Sequence, residues 1–477
     1  MSLEKKDNFS NDSFCPEVYN QIQIDMQGDI RACCLMSDSG MIEDDQGVPM
    51  NIKTHSILDA INSKSHKQHR LELSNNIRPS RCSNCYTQEN HSPNSRRIKF
   101  INYSKNGTLP DYAKAEDAYS ITASDGSIDT NVTPLLNLDM RFGNLCNLKC
   151  IMCDPGNSSL WYNDWDLLSR SFAGRDENGR LSKFLQGGVD PVTGESQYWK
   201  SKNKVYLLQK NKHDKLKLEG EQNWWETDSW KQQFEAIAPR LQHIYFTGGE
   251  PLIVPAMTEH LDYLIEQGFS KNIRLLYDTN LTVINQNILD RWKFFKKIEL
   301  RISVDEVGDR YNLVRNPGNF DKLEENIQLI QDAGVHIHRI TMVCGFANLY
   351  GTIRVAQFAK KINKELSLRF VNRPGWLNIQ NLPVSAKKEL IQVLTDFLNS
   401  DQKHTIAGYE YVIKSQIAHL TNTLDAPIQK YAVETFVRTM NILDKPRNLD
   451  WKTILPDVVD LLQRHCPDLD LNMAAES

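Results

Sequence analysis

The sequence predicts an α/β fold built on a parallel sheet, either doubly wound or closed into a complete or partial barrel. Three observations predict it. Strand-then-helix units recur six times between Leu135 and Val371, and alternation of that kind produces right-handed crossovers between parallel strands. The 477 residues, 40% of them hydrophobic, are enough to bury one large domain with one or two smaller ones. Polar and sulfur-bearing residues cluster just after the predicted strands, where both kinds of parallel sheet build their sites.

The first strand spans 135–141, where Leu136, Leu138 and Met140 alternate with polar neighbours after Pro134, and it runs directly into Gly143 and Cys146. The second, 243–246, ends in Thr247-Gly248-Gly249-Glu250-Pro251 and leads to a helix at about 256–267 that Gly268 stops. A strand at 273–277 precedes a helix near 284–295. The strand 298–304 precedes a helix whose Leu323, Ile327 and Ile330 share one face up to Gly334. Strands at 337–343 and 366–371, with the helix 352–362 between them, complete the series. Residues 156–240 are too many for a connection and read as an insertion. It carries Trp161, Trp165, Trp199, Trp224, Trp225 and Trp230, read as local core with a substrate platform as the alternative, and a Gly- and Asp-rich middle at 174–190, read as mobile. After Pro383 the pattern is helical, with apolar periodicity at 390–398, 413–420 and 433–443 and a frayed end at 472–477.

The 56 basic and 60 acidic residues leave a net charge of -4, so no global field recruits nucleic acid or an anionic membrane. No window approaches the roughly 20 apolar residues of a spanning helix, and residues 1–11 lack the apolar stretch of a secretory signal. The expected setting is a reducing cytoplasm, with neither membrane nor nucleic acid as a partner. There, ten cysteines are not a disulfide framework, and eight of them fall in the first third. Clustered thiols under reducing conditions point to zinc or iron-sulfur ligation. Cys344 and Cys466 stand apart and read as buried hydrophobes. His55, His66 and His69 read as surface residues.

Cys146, Cys150 and Cys153 place three thiolates within eight residues on the loop after the first strand. A structural zinc site closes with four ligands, and no further Cys or His lies within ten residues to complete one. A cubane iron-sulfur cluster held by three thiolates instead keeps one iron open. The Cys-x3-Cys-x2-Cys spacing after a first strand resembles the signature of the radical S-adenosylmethionine (SAM) superfamily, and the resemblance covers about 135–371. It implies a partial (β/α)6 TIM-like barrel, a 4Fe-4S cluster on catalytic Cys146, Cys150 and Cys153, and SAM chelated at the open iron. Gly248-Gly249-Glu250 matches the family's GGE motif, which implies a site for the SAM ammonium group. Thr279-Asn280 is similar to Thr-Asn-Gly, with Leu281 where Gly is usual. Ser303 and Asp305 are similar to Ser-x-Asp-Gly, with Glu306 replacing Gly, and Arg315 stands where some members pair the SAM carboxylate. Capping and turn chemistry is the alternative reading of these polar residues. Met152 stands where an aromatic is usual before the third Cys.

The N-terminal cysteines form a second set. Residues 21–25 alternate as a strand and Gln27-Gly28-Asp29 reads as a hairpin turn, which brings Cys15 and Cys33 together. Cys82 and Cys85 follow with two residues between them. The Cys-x12-Gly-x4-Cys opening resembles SPASM and twitch modules, which implies a second, auxiliary 4Fe-4S cluster on Cys15, Cys33, Cys82 and Cys85. Cys34 competes with Cys33 for one position, and a four-cysteine zinc ribbon is the alternative. The family's module usually follows the barrel, whereas this one precedes it. The expected domains are 1–134, the auxiliary-cluster module and linker; 135–382, the barrel with its insertion; and 383–477, a helical extension.

The resemblance implies an enzyme that reductively cleaves SAM to a 5'-deoxyadenosyl radical, which takes a hydrogen atom from a substrate. A peptide or protein undergoing oxidation or cross-linking, or a small molecule such as a sugar undergoing dehydrogenation or epimerisation, fits that chemistry. A reductant such as flavodoxin or ferredoxin is the implied partner. A non-catalytic iron-sulfur or zinc-binding regulatory protein is the alternative of another class, and the Gly248-Gly249-Glu250 loop argues against it.

Overall fold

A computed structural model of the chain describes residues 13–36, 40–89, 95–105, 115–131, 135–172, 187–190, 192–201, 204–211, 215–218, 223–429 and 431–473. The expected mobile stretch at 174–190 lies outside these residues except for 187–190, and the expected frayed end lies outside them beyond 473. The strands are β1 (Gln21–Ile24), β2 (Ile30–Arg31), β3 (Asn137–Arg141), β4 (Gly187–Val189), β5 (Ser196–Ser201), β6 (Lys204–Lys210), β7 (Leu216–Leu218), β8 (His243–Thr247), β9 (Arg274–Thr279), β10 (Lys297–Ser303), β11 (His336–Cys344) and β12 (Leu366–Phe370). The chain divides into two compact units. One comprises 1–143, 221–277 and 290–298; the other comprises 144–220, 278–289 and 299–477.

In the first unit the strands run β2-β1-β3-β8-β9, with β1 and β2 antiparallel and the other pairs parallel. Register builds the core in two rows across four strands. Ile22, Leu138, Ile244 and Leu275 make one row, and Ile24, Met140, Phe246 and Tyr277 the next; all are buried. The opposite face carries Gln21, Asn137, His243 and Arg274, then Gln23, Asp139 and Tyr245. β3 therefore has both faces covered, as strands of parallel sheets do. The N-terminal hairpin forms as expected, with Gly28 at φ +85° in its turn. Its parallel pairing to β3 makes it an extension of the same sheet, which the sequence reading did not anticipate. The helix Pro255–Glu266 opens on proline and stops before Gly268 at φ +72°, the asymmetry expected of helix ends. Trp224 and Trp230 are fully buried and stack edge-on beside Phe234 and His260, so these tryptophans are core.

The second unit holds the parallel strands β10-β11-β12 and a separate antiparallel sheet, β4-β5-β6-β7. That small sheet lies within the segment read as an insertion. The helices Phe320–Asp332 and Gly351–Lys361 follow the expected periodicity. The C-terminal helices are Val384–Asn399, Glu410–Asn422, Ala432–Arg447, Trp451–Ile454 and Pro456–His465. The fold class is α/β with mainly parallel pairing and a helical C-terminal region. No helix among the described residues is long and apolar enough to cross a membrane. One reading needs correction: His66 and His69 are 2% and 1% exposed, not surface residues. Three residues apart on the helix Lys64–Ser74, they share its inward face.

Candidate radical and auxiliary-cluster sites

The Cys146 to Cys153 loop is held by its backbone and by its own unit. Lys149 N–H donates to the Asn316 carbonyl at 2.6 Å and Ile151 N–H to Val314 at 2.8 Å. Leu148 N–H points at the Cys146 sulfur at 3.4 Å, and the Trp161 indole donates to the Cys150 carbonyl at 2.9 Å. Burial pushes the thiols of Cys150 and Cys153 up, and in Cys150 the Arg315 guanidinium opposes that push. The desolvated thiols of Cys150 and Cys153 need an added positive charge to ionise. The donor set therefore fits an iron-sulfur cluster.

The other expected residues of this unit divide into positioners and neighbours of the loop. Arg315 Nη1 lies 3.7 Å from the Cys150 sulfur, and Nη2 lies 2.6 Å from Asp305 Oδ2. Asp305 is fully buried and accepts from Val343 N–H at 2.7 Å. Ser303 ends β10 opposite Thr341. Asn280 donates to Asn147 at 3.0 Å, beside Cys146, and accepts from Thr282 N–H at 2.9 Å; Thr279 accepts from Leu281 N–H at 2.9 Å. Leu281 keeps φ +51°, the conformation a glycine would favour at that place. Glu306, also in a glycine's place, is fully buried and paired with Arg354, and Gly351 leaves its carboxylate room. Met152, beside Cys153, is half-buried.

In the first unit, β8 ends at the Gly-rich loop. A Cβ on Gly248, at φ +124°, would stand 3.0 Å from the Gly143 carbonyl oxygen and 3.6 Å from the Arg141 Cα, so the close approach of β3 and β8 requires glycine. Gly249 N–H donates to Gly143 at 3.3 Å. Glu250 is 1% exposed, and its Oε1 accepts from Leu252 N–H at 3.1 Å, capping the turn that follows.

The N-terminal thiols gather in the same unit. Burial pushes Cys15 well up, with the Glu17 carboxylate and the Cys82 and Cys85 thiols adding to it. Cys33 donates to Glu17 at 3.4 Å, and Glu17 is gripped by Arg96 at 2.8 Å. Cys33 and Cys34 hydrogen-bond to each other, which holds Cys33 up and Cys34 down. His69 Nε2 stands 3.3 Å from the Cys82 sulfur, and burial keeps its ring neutral. Buried thiols beside a buried carboxylate fit a cationic cluster that draws them into the thiolate form.

Sequence reasoning missed two groups. The face of β1 and β3 opposite the apolar rows buries Gln21, Gln23, Asn137 and Asp139. The amide nitrogen of Gln21, the amide oxygens of Gln23 and Asn137 and both oxygens of Asp139 have no hydrogen-bond partner among the described residues. The Arg141 Nε stands 4.0 Å from Asp139. Alternation announced these polar positions but not that their face is covered. The second group is Asp164, which pairs with Lys149 at 2.9 Å and Arg447 at 2.8 Å behind the cysteine loop. Arg447 lies 283 residues away, and no local pattern marks it.

Residues 140–348 match the Radical SAM superfamily, and residues 15–86 match SPASM, an iron-sulfur cluster-binding domain. No curated protein matches the chain. Among solved structures, native anSMEcpe with bound AdoMet is 17% identical over 57% of this chain and 63% of its own, with a TM-score of 0.35. SuiB of Streptococcus suis bound to the precursor peptide SuiA is 14% identical over 55% of this chain and 46% of its own, with a TM-score of 0.30. The chain thus spans less than two thirds of either. The two matched segments contain every cysteine of both sets, and they imply SAM with a 4Fe-4S cluster in one domain and auxiliary iron-sulfur in the other. Residues 140–348 thus carry a Radical SAM superfamily domain, and residues 15–86 a SPASM iron-sulfur cluster-binding domain.

Proposed function

We propose that this chain oxidises or cross-links a peptide or protein substrate by radical SAM chemistry. The observation that carries the reading is the Cys146, Cys150 and Cys153 loop at the exit of β3, with Arg315 against Cys150. When bound and given one electron by an external reductant, the cluster and SAM would supply radical chemistry able to take a hydrogen atom from the substrate. The chain's own residues do the rest. Cys146, Cys150 and Cys153 hold three irons. Gly248 and Gly249 let backbone approach SAM, and Glu250 receives its ammonium group. Arg315, oriented by Asp305, receives its carboxylate, and Thr279, Asn280 and Ser303 complete the polar contacts. Cys15, Cys33, Cys82 and Cys85 hold the auxiliary cluster, with Cys33 favoured over Cys34 by the Gly28 register. The functional divisions are 1–134, 135–382 and 383–477.

The peptide reading rests on the SPASM match, since enzymes that carry SPASM and twitch modules most often modify peptides or proteins. The test is anaerobic incubation of the reconstituted protein with SAM and dithionite. Formation of 5'-deoxyadenosine, absent from the triple alanine variant of Cys146, Cys150 and Cys153, is the expected result. Without that product in the wild type, the enzymatic reading fails.

A further inference from the structure

One cluster of ligating side chains lies apart from both cysteine sets. β10 and β11 run parallel, with Glu299 in register with His336. The ladder then pairs Leu300 with Ile337 but Arg301 with Arg339, so His338 is the extra residue of a bulge on β11. Bulges re-aim side chains. Here the carboxylate of Glu299 and the imidazoles of His336 and His338 offer ligand atoms all within 4.8 Å of one another, the only such trio of His, Cys, Asp or Glu among the described residues.

We propose that Glu299, His336 and His338 bind one divalent transition-metal cation of the zinc class at the N-terminal edge of β10 and β11. Two imidazoles and a carboxylate are a borderline donor set that suits zinc, cobalt or nickel better than magnesium or calcium. Bonds of about 2.0 to 2.1 Å bring tetrahedral ligand atoms to roughly 3.3 Å from one another, so side-chain rotation closes the trio. His336 is exposed, which opens a path for the ion. Burial, then Arg339 and Arg301, push His338 down to about 4, so its ring is neutral, the form that ligates. Those two guanidinium groups also repel a cation. The Glu299 carboxylate opposes them, and Arg301 is drawn to Asp278 at 3.7 Å. Three protein ligands leave a fourth position for water. Ser303 is four residues along β10, about 13 Å away, so the site is separate from the one proposed for SAM and does not depend on that reading.

The experiment uses the full chain with its clusters reconstituted. Zinc chloride is added, excess is removed by desalting, and zinc and iron are counted together by mass spectrometry. Wild type should retain about one zinc per chain with its iron content unchanged, and zinc-edge X-ray absorption should show nitrogen and oxygen neighbours, imidazole among them, and no sulfur. His336→Gln, at an exposed position, and Glu299→Gln should each weaken retention by at least about tenfold with an unaltered circular dichroism spectrum and iron content. Zinc bound through sulfur, zinc held equally by wild type and both variants, or no zinc held by wild type would each overturn the proposal.

Discussion

At Arg315 one guanidinium serves two neighbours, the Cys150 sulfur and the fully buried Asp305 carboxylate. Arg315→Ala is therefore expected to do two things. It should weaken SAM binding about ten- to a hundredfold, the worth of a charge-assisted contact of roughly 1.5 to 3 kcal/mol. It should also cost stability, about 3 to 5 kcal/mol, by stranding Asp305. Adding Asp305→Asn should restore the melting temperature but not SAM affinity by calorimetry. Glu250→Ala should lose SAM affinity to a similar degree with its iron retained, and an unchanged dissociation constant in both would remove these residues from the site. Asp139 makes a different prediction. Burial pushes its carboxyl up to about 7, against the nearby Arg141, so the folded protein holds that proton more tightly than the unfolded chain. Stability is then lost as pH rises from about 4 to about 7, by up to about 4 kcal/mol. Asp139→Asn removes the titration, so its melting temperature should exceed that of the wild type by a margin that grows across this window. A constant margin would mean the carboxyl is solvated. The two cysteine sets and the Gly-Gly-Glu loop stood out in the sequence because thiols and glycines sit at fixed local spacings. Asp139 and His69 did not, because their roles come from burial that no local pattern announces, and Arg447 did not, because its partner Asp164 lies 283 residues away.

At the scale of the element, periodicity placed the strands and helices within a few residues. The strand read at 273–277 is Arg274–Thr279, and the helix read at 352–362 is Gly351–Lys361. It could not show that β1 pairs with β3, because Asn20 and Asn137 meet across 117 residues of chain. Nor did it resolve the four-stranded sheet within the insertion, where Lys204–Lys210 carries a consecutive run, Val205 to Leu208, rather than an alternating one. The hairpin of β1 and β2 was legible, since Gly28 sits between two alternating runs. At φ +85°, a Cβ there would stand 2.8 Å from Ile52 and 2.9 Å from Asn51. Gly28→Ala should strain the turn by about 1 to 3 kcal/mol and shift Cys33, five residues on. The expected outcome is fewer irons at the auxiliary site, with the irons on Cys146, Cys150 and Cys153 retained. Equal loss from both sites would mean that the turn supports folding in general rather than the placement of Cys33.

For the whole molecule, cluster content is the integrating observable. Two 4Fe-4S clusters amount to about eight irons per chain, and triple alanine replacement of Cys146, Cys150 and Cys153 should leave about four. Four irons and one sulfur-bound zinc in the wild type would contradict the auxiliary cluster. Arg447 ties the C-terminal helices to the cysteine loop. It closes the helix Ala432–Arg447, lies 4.7 Å over the Trp161 ring and shares Asp164 with Lys149 of the cysteine loop. Trp161 in turn holds the Cys150 carbonyl. Arg447→Met preserves much of the stem's packing and removes the charge, leaving the buried Asp164 with one cation instead of two. The cysteine loop should then open more often, because its backing has lost an ion pair while its backbone hydrogen bonds remain. Iron release to an anaerobic chelator should accelerate for the cluster on Cys146, Cys150 and Cys153, while the auxiliary cluster, in the other compact unit, keeps its rate. Combining Arg447→Met with alanine at Cys82 and Cys85 isolates the first cluster, so its release can be timed alone. Release at the wild-type rate in that background would mean that the helical extension plays no part in holding the radical site.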